Sequence, residues 1–265
     1  VPGCNYSGIF IFGHIFFSND AFSLNCIKIQ AMKKSEKVIQ ILKDNRDFIA
    51  KIMDVDFSDK NVYVFDFTEN NSELYSLDLD DTNAFTEYVF NTLKKEKKGV
   101  GVGGYGEDRL IYKRSKHFDG EGEPRSIHLG MDIWINENTP VFAPLPGIIH
   151  SFKNNSTFGD YGPTIIIEHL IEKVTFYTLY GHLSLDSITG LEKGKLVRRG
   201  DEIARVGNQL VNGNWPPHLH FQIITDMLGN EGDFPGVAPP SAKEYFMDLC
   251  IDPNLILKIK VLPRI

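Results

Sequence analysis

The stretch Pro216-Pro217-His218-Leu219-His220-Phe221-Gln222-Ile223-Ile224 sets the reading of this chain. Two histidines head an apolar run rich in strand-forming residues. In a strand, residues i and i+2 share a face and lie roughly 6.5–7 Å apart along the chain. His218 and His220 then point one way, while Leu219 and Phe221 point the other way, into a core. Pro216 and Pro217 suit a strand start rather than a strand centre. One imidazole of such a pair can bind a metal ion while its neighbour reaches a water on that ion. By itself the pattern also fits two exposed histidines at a strand end.

Two further stretches supply partners. Ile127-His128-Leu129-Gly130-Met131-Asp132-Ile133-Trp134 holds a histidine and an aspartate four apart. Gly130 and the β-branched surroundings place them on an extended or looped segment, not on a helix. Tyr180-Gly181-His182-Leu183 adds a histidine at the end of an apolar run. Imidazoles and a carboxylate from separated segments are the donors of a catalytic zinc site, which keeps one position open for water.

In this order, His-x-x-x-Asp, a lone histidine after an apolar strand and His-x-His resemble the lysostaphin/LytM-type zinc endopeptidases, from about residue 105 to about residue 260. The resemblance implies that His128, Asp132 and His220 bind Zn(2+) and that His182 and His218 flank the metal-bound water as catalytic residues. It implies a peptide substrate, with cell-wall cross-links next to glycine or a D-amino acid as the usual targets. The approach to His-x-His departs from the family, which more often has Ser/Thr-Gly-x-Pro. Here Asn214-Trp215-Pro216-Pro217 stands instead, so the surface that meets the substrate differs. Trp215 and Asn212-Gly213-Asn214 are expected to form the groove wall. The tail, with Gly232-Asp233-Phe234-Pro235-Gly236-Val237, resembles a subgroup whose peptidase module is fused between a kinase-like phosphotransferase and an aminotransferase. That subgroup implies a cytoplasmic peptide or amide hydrolase.

From Arg125 onward the chain reads as β. Pro140–Ile149 is a strand–turn–strand unit around Pro146-Gly147; Thr164–Glu168 and Val174–Tyr180 are strands, and Gly200–Gly207 is a turn and strand. Short strands punctuated by Gly and Pro indicate an antiparallel β-sandwich or half-barrel. Ala143-Pro144-Leu145-Pro146-Gly147 and Gly200-Asp201-Glu202-Ile203-Ala204 also resemble the barrel-sandwich layout of biotinyl and sugar-phosphotransferase carriers, which is duplicated in lysostaphin-type peptidases as a hybrid motif. A carrier leaves the histidine–aspartate set unexplained. A non-catalytic regulatory or binding domain of LytM type is the other alternative, and a complete ligand set argues against it. His169 is read as structural, His150 as a strand-end residue, and His117 and His14 as lacking sequence partners.

The N-terminal part is read as a small α/β region. Val38, Leu42, Asn45, Ile49 and Ile52 recur at helical spacing from an N-cap at Ser35, with Ile41, Phe48 and Met53 widening the stripe. Asn61–Phe67 reads as a strand, and Asp81-Thr82 starts a second helix that ends in the solvated lysines 94, 95, 97 and 98. Gly99-Val100-Gly101-Val102-Gly103-Gly104-Tyr105-Gly106 lacks the strand-before, helix-after context of a phosphate loop and is read as a flexible crossover, with Tyr105 and Arg109 as groove candidates. The expected division is 1–31 outside the fold, 32–98 a helix–strand–helix region and 99–265 the metallopeptidase domain.

Composition sets outer bounds. The 265 residues, 42% hydrophobic and 12% aromatic, are enough for a real core. A formal charge of −7 without a basic stripe disfavours nucleic-acid binding. Cys4, Cys26 and Cys250 are odd in number and lack metal spacing, which fits free thiols in a reducing compartment. The apolar run Ile9–Phe17 is too short to span a bilayer, and no positive segment precedes it. Val1-Pro2-Gly3-Cys4 resembles a lipoprotein box without its apolar lead, whereas Met32-Lys33-Lys34 reads like a natural start. Residues 1–31 are therefore expected to be an extension, with a membrane-associated or partner-binding segment as the rival, and a cytoplasmic location is favoured over the envelope.

Overall fold

Apolar runs of alternating or continuous pattern condense here into one large sheet. The computed structural model describes residues 32–114, 118–119 and 123–262. The segment Ile9–Phe17, Cys4, Cys26, His14 and His117 lie outside them. From Lys34 on, the described residues form one compact unit.

The strands of the main sheet are β1 (Val62–Phe65), β2 (Val100–Gly103), β4 (Met131–Trp134), β6 (Gly147–Asn155), β7 (Gly162–Ile171), β8 (Val174–Gly181), β9 (Leu196–Val197) and β11 (His218–Ile224). Their order is β1-β2-β4-β11-β8-β7-β6-β9, and β13 (Cys250–Ile251) also pairs with β11. Every pairing is antiparallel except β1 with β2. Two small pairs accompany the sheet: β3 (Ile127–His128) with β12 (Val237–Ala238), and β5 (Pro140–Phe142) with β10 (Glu202–Arg205).

The large core contains Ile165, Ile167, Phe176, Leu219, Phe221 and Ile223 together with Val141, Leu145, Ala204 and Val206 from the β5–β10 side. Ile166, Leu179 and Ile224 enter a second cluster on the other face. A continuous apolar run in β7 is thus buried on both sides, as a central strand requires. All seven residues of β11 are buried. Each fully buried Leu, Ile or Phe of this set contributes roughly 1.5–3 kcal/mol. The mainly β sandwich expected from the sequence is what forms.

The helices are α1 (Lys34–Asp44), α2 (Thr82–Lys95), α3 (Lys243–Leu249) and α4 (Asn254–Leu257). Asp81 caps α2, accepting from the Asn83 and Ala84 amides at 2.8 and 3.3 Å. Among the described residues no helix is long and apolar enough to cross a membrane.

Three local expectations are corrected. The helical stripe from Ser35 to Met53 is helical only to Asp44. Beyond it the backbone turns to sheet-type partners: the Ala50 amide donates to the Pro144 carbonyl at 2.9 Å, and the Phe142 amide donates to the Ile52 carbonyl at 2.8 Å. Ser35 lies inside the first turn rather than capping it, and its hydroxyl donates to Asp248 Oδ1 at 2.6 Å. The glycine-rich crossover is the buried strand β2, held between β1 and β4. A Cβ on Gly101 would run into the Phe65 ring and lie 3.2 Å from the Trp134 Cβ. Glycine is present there because neighbouring rings occupy the side-chain space, not because the backbone needs freedom.

Candidate metal centre

Strand register brings the sequence-predicted residues together. On β11, His220 sits opposite Asp132 of β4 on one side and opposite Gly181 of β8 on the other. His218 sits opposite Trp134. His128 ends β3, and Gly130 carries the chain past the His220 ring, whose Cε1 would lie 2.5 Å from any Cβ placed there. His182 follows Gly181 at the end of β8 with a left-handed φ of 60°. Its amide donates to the Tyr161 carbonyl at 2.7 Å, and its carbonyl accepts from the Gly207 amide at 2.8 Å. All five predicted residues thus converge, each 5% exposed or less.

His128, Asp132 and His220 offer three ligand atoms within 4.8 Å of one another. His128 Nε2 lies 3.1 Å from His220 Nδ1 and 3.4 Å from Asp132 Oδ1, and His220 Nδ1 lies 3.0 Å from Asp132 Oδ1. A tetrahedral ion with bonds of ~2.0–2.1 Å separates its ligands by roughly 3.3 Å, so these spacings suit one zinc-sized ion.

Hydrogen bonding decides which nitrogen is free. His128 Nδ1 donates to the Gly104 carbonyl at 2.9 Å, leaving Nε2 as a lone pair. Gln222 Nε2 donates to the Pro235 carbonyl at 3.1 Å, which turns Oε1 toward His220 Nε2, also at 3.1 Å. That nitrogen carries the proton, so His220 presents bare Nδ1. Three acceptors then face one another with no proton among them, an arrangement that a cation satisfies. His182 Nδ1 donates to the Asn212 carbonyl and His218 Nδ1 to the Pro216 carbonyl, both at 2.7 Å, so their Nε2 atoms are acceptors as well. His218 Nε2 stands 3.8 Å from Asp132 Oδ1.

The rings are stacked. His218 lies between Trp134 and His182, with centroids 4.1 Å away on each side. Burial lowers the basicity of the group: His218 is pushed down to about 4, as is His128, which the Arg109 cation depresses further. His182 falls well below its ordinary value because of burial and the neighbouring His218 and His220. Burial alone would raise the Asp132 carboxyl, but His128 and the Arg109 guanidinium reverse this and hold it well below the usual range. Neutral imidazoles and an ionised carboxylate are the forms a metal takes.

Several contributors were not legible in the sequence. Arg109 lines the groove as expected, but its ties were not foreseen: it is a buried cation whose Nη1 donates to Asp132 Oδ2 at 2.5 Å and whose Nε donates to Glu107 Oε2 at 2.7 Å. It leaves Asp132 one oxygen for the ion. Gln222 lies two residues beyond His220 on the same strand face, and that period is the signal that could have found it. Tyr105 turns away from the groove, donating its hydroxyl to the Cys250 carbonyl at 2.5 Å. His169 is buried between the Pro146 carbonyl and the Thr178 hydroxyl, each 2.8 Å away. His150 is half-buried beside Ser151.

A cleft of about 240 Å³ opens onto Asp132, His182, His218 and His220. Tyr112, Phe118 and Trp215 form one wall, with Tyr112 6.2 Å from Trp215 and 4.6 Å from Phe118 between ring centroids. Tyr161 and Phe234 also line it, and Trp215 takes the wall position expected of it. Asn212 and Gly213 are buried in the loop behind.

Residues 126–231 match the model of Peptidase family M23. A curated relative, an uncharacterized metalloprotease of Haemophilus influenzae, is 30% identical over 95 residues, which are 36% of this chain and 18% of that protein. Among solved structures, a zinc-containing peptidase from Vibrio cholerae is 31% identical, covering 37% of this chain and 27% of that one with a TM-score of 0.31. The catalytic domain of lysostaphin from Staphylococcus simulans is 23% identical, covering 46% and 80% with a TM-score of 0.30. The chain therefore spans less than a fifth of the curated relative and about a quarter of the Vibrio peptidase.

Proposed function

We propose that this chain, which carries a stretch matching Peptidase family M23, is a zinc metallopeptidase that hydrolyses a peptide bond as an endopeptidase. The observation that carries this reading is the set of three facing acceptors, His128 Nε2, Asp132 Oδ1 and His220 Nδ1, at mutual distances of 3.0–3.4 Å. These three would hold the ion. When bound, zinc supplies Lewis acidity that makes a coordinated water reactive near neutral pH.

The remaining work belongs to the side chains. His182 and His218 each keep Nδ1–H on a backbone carbonyl, so Nε2 can accept a proton from water. The protonated ring then donates it to the departing amine nitrogen. The partner ring, neutral as well, uses its Nε2 to accept a hydrogen bond from the same water and so orients it. The buried setting, with Trp134 stacked on His218, keeps bulk water from competing. Arg109 holds Asp132 so that a single oxygen faces the ligand position.

Substrates are assigned by class: peptidoglycan-type peptides, or short peptides containing glycine or a D-amino acid. The cleft, at about 240 Å³, is below the roughly 300–1,000 Å³ of ordinary ligand sites, which favours small residues at the scissile bond.

The test joins metal analysis to an assay on purified wall fragments and a panel of short peptides, read by mass spectrometry. Wild type should hold one zinc per chain and lose cleavage to a chelator. Asp132→Ala should lose the metal. His218→Ala should keep it and lose roughly 10²-fold or more in turnover. Full activity in His218→Ala would remove the role assigned to that ring.

A further inference from the structure

The matched stretch begins after α2, β1 and β2, yet α2 reaches the centre through a loop. Thr82 Oγ1 donates to the Asn214 carbonyl at 3.0 Å. Thr86 Oγ1 donates to the Thr82 carbonyl of its own helix at 2.7 Å and lies 3.2 Å from Gln209 Oε1, while Gln209 Nε2 donates to Asn83 Oδ1 at 2.9 Å. Both bonds to the loop come from the first turn of α2, the part that Asp81 caps. They pin the loop 207–215, and this loop carries the Asn212 carbonyl that receives His182 Nδ1.

The loop is fixed differently along its length. Its inner end is closed by Asn212, whose side chain donates to the Trp215 carbonyl and accepts from the Trp215 amide, both at 3.0 Å. The Gly213 carbonyl accepts from the Gly159 amide at 2.9 Å. At the outer end Leu210 is 83% exposed, so apolar packing does not anchor that part. The Gln209 grip ties down this outer end, in addition to the Thr82–Asn214 and Gly159–Gly213 bonds that hold the loop nearer Asn212.

The consequence falls on His182. A neutral imidazole can carry its proton on either nitrogen, and the partner of one nitrogen selects the tautomer. Only with Nδ1 on the Asn212 carbonyl does Nε2 remain an acceptor toward the cleft. His182 follows the last residue of β8, so the strand ladder does not set its ring.

We infer that Asn83 and Gln209 are positioning residues for His182, holding the loop that keeps this ring in its Nδ1–H form. The inference deepens the metallopeptidase reading and rests on it for the role of His182. It makes the helical part of the chain a component of the centre.

Three variants test it in the zinc-loaded full chain: Asn83→Ala, Gln209→Ala and Asn83→Asp. Asn83 is exposed and Gln209 half-buried, and Asn83→Asp keeps the acceptor that Gln209 needs. Long-range proton–nitrogen spectra of the imidazoles report the His182 tautomer without any assay. Wild type and Asn83→Asp should show Nδ1–H. The two alanine variants should show a mixture with Nε2–H, unchanged zinc content, a five- to twentyfold lower kcat and a KM within twofold of wild type. An unchanged tautomer and kcat in both alanine variants would overturn the proposal. So would zinc loss in step with kcat, which would mark a general structural effect. If wild type cleaves nothing, the metallopeptidase reading falls, while the tautomer spectra still judge the hold of Asn83 and Gln209 on the loop.

Discussion

At the scale of single residues, the centre depends on where protons reside. Each of the five groups has a fixed partner on its far side: Gly104, Asn212 and Pro216 carbonyls for three imidazoles, Gln222 for His220 and Arg109 for Asp132. His182 reaches its place at φ 60°, a conformation that disfavours any side chain with a Cβ by roughly 1–2 kcal/mol. Glycine usually costs about 0.5–1 kcal/mol against alanine within regular structure. Here the order should invert: thermal melts should find His182→Gly more stable than His182→Ala by about 1 kcal/mol, although both lose the ring. His169 gives a second prediction, away from the metal. Burial pushes it down to about 4 from its ordinary 6.5. The fold therefore favours its neutral form, so its contribution is complete above about pH 6.5 and is lost as pH falls through 4. Urea midpoints of the metal-free protein should drop between pH 7 and pH 4, and the drop should be smaller in His169→Asn, by roughly 1–3 kcal/mol.

At the scale of elements, β2 shows what sequence pattern conveys and what it leaves out. Val100 and Val102 alternate with glycines, and nothing along that run states which rings fill the glycine faces. Phe65 and Trp134 fill the space at Gly101 from β1 and β4. Gly101→Val should therefore cost roughly 1–3 kcal/mol by overpacking, read as a lower denaturation midpoint with an unchanged slope. The ligand motif was legible for the opposite reason. His218 and His220 lie within one strand, and period two alone puts them on one face. His128 and Asp132 lie four apart about Gly130, although the ring that requires this glycine, His220, comes from a distant strand. Arg109 was illegible in its true role because its partner Asp132 depends on β2 folding back onto β4. The end of α1 was illegible for the same reason: its successor is recruited by the Pro144 carbonyl and the Phe142 amide, which sequence proximity does not reveal.

At the scale of the whole molecule, the resemblance in sequence and the centre in space have different extents. The five converging residues lie within 126–231, but Gly104, Arg109, Thr82 and Asn83 lie before it. The parallel pairing of β1 with β2, and the antiparallel pairing of β2 with β4, join the two parts in one sheet. One feature of this layout reaches further than catalysis. The Gly104 carbonyl and the Arg109 guanidinium clasp two of the three residues proposed to hold the ion, from the far side. Anything that stabilises those two residues must also stabilise the backbone that clasps them, by the linkage between ligand binding and folding. Adding zinc should therefore slow amide deuterium uptake in residues 100–110 as well as around 128–132, and removing it should release both together. An ion held between β4 and β11 would then serve as a rivet through two regions of the chain, felt well beyond the residues that touch it.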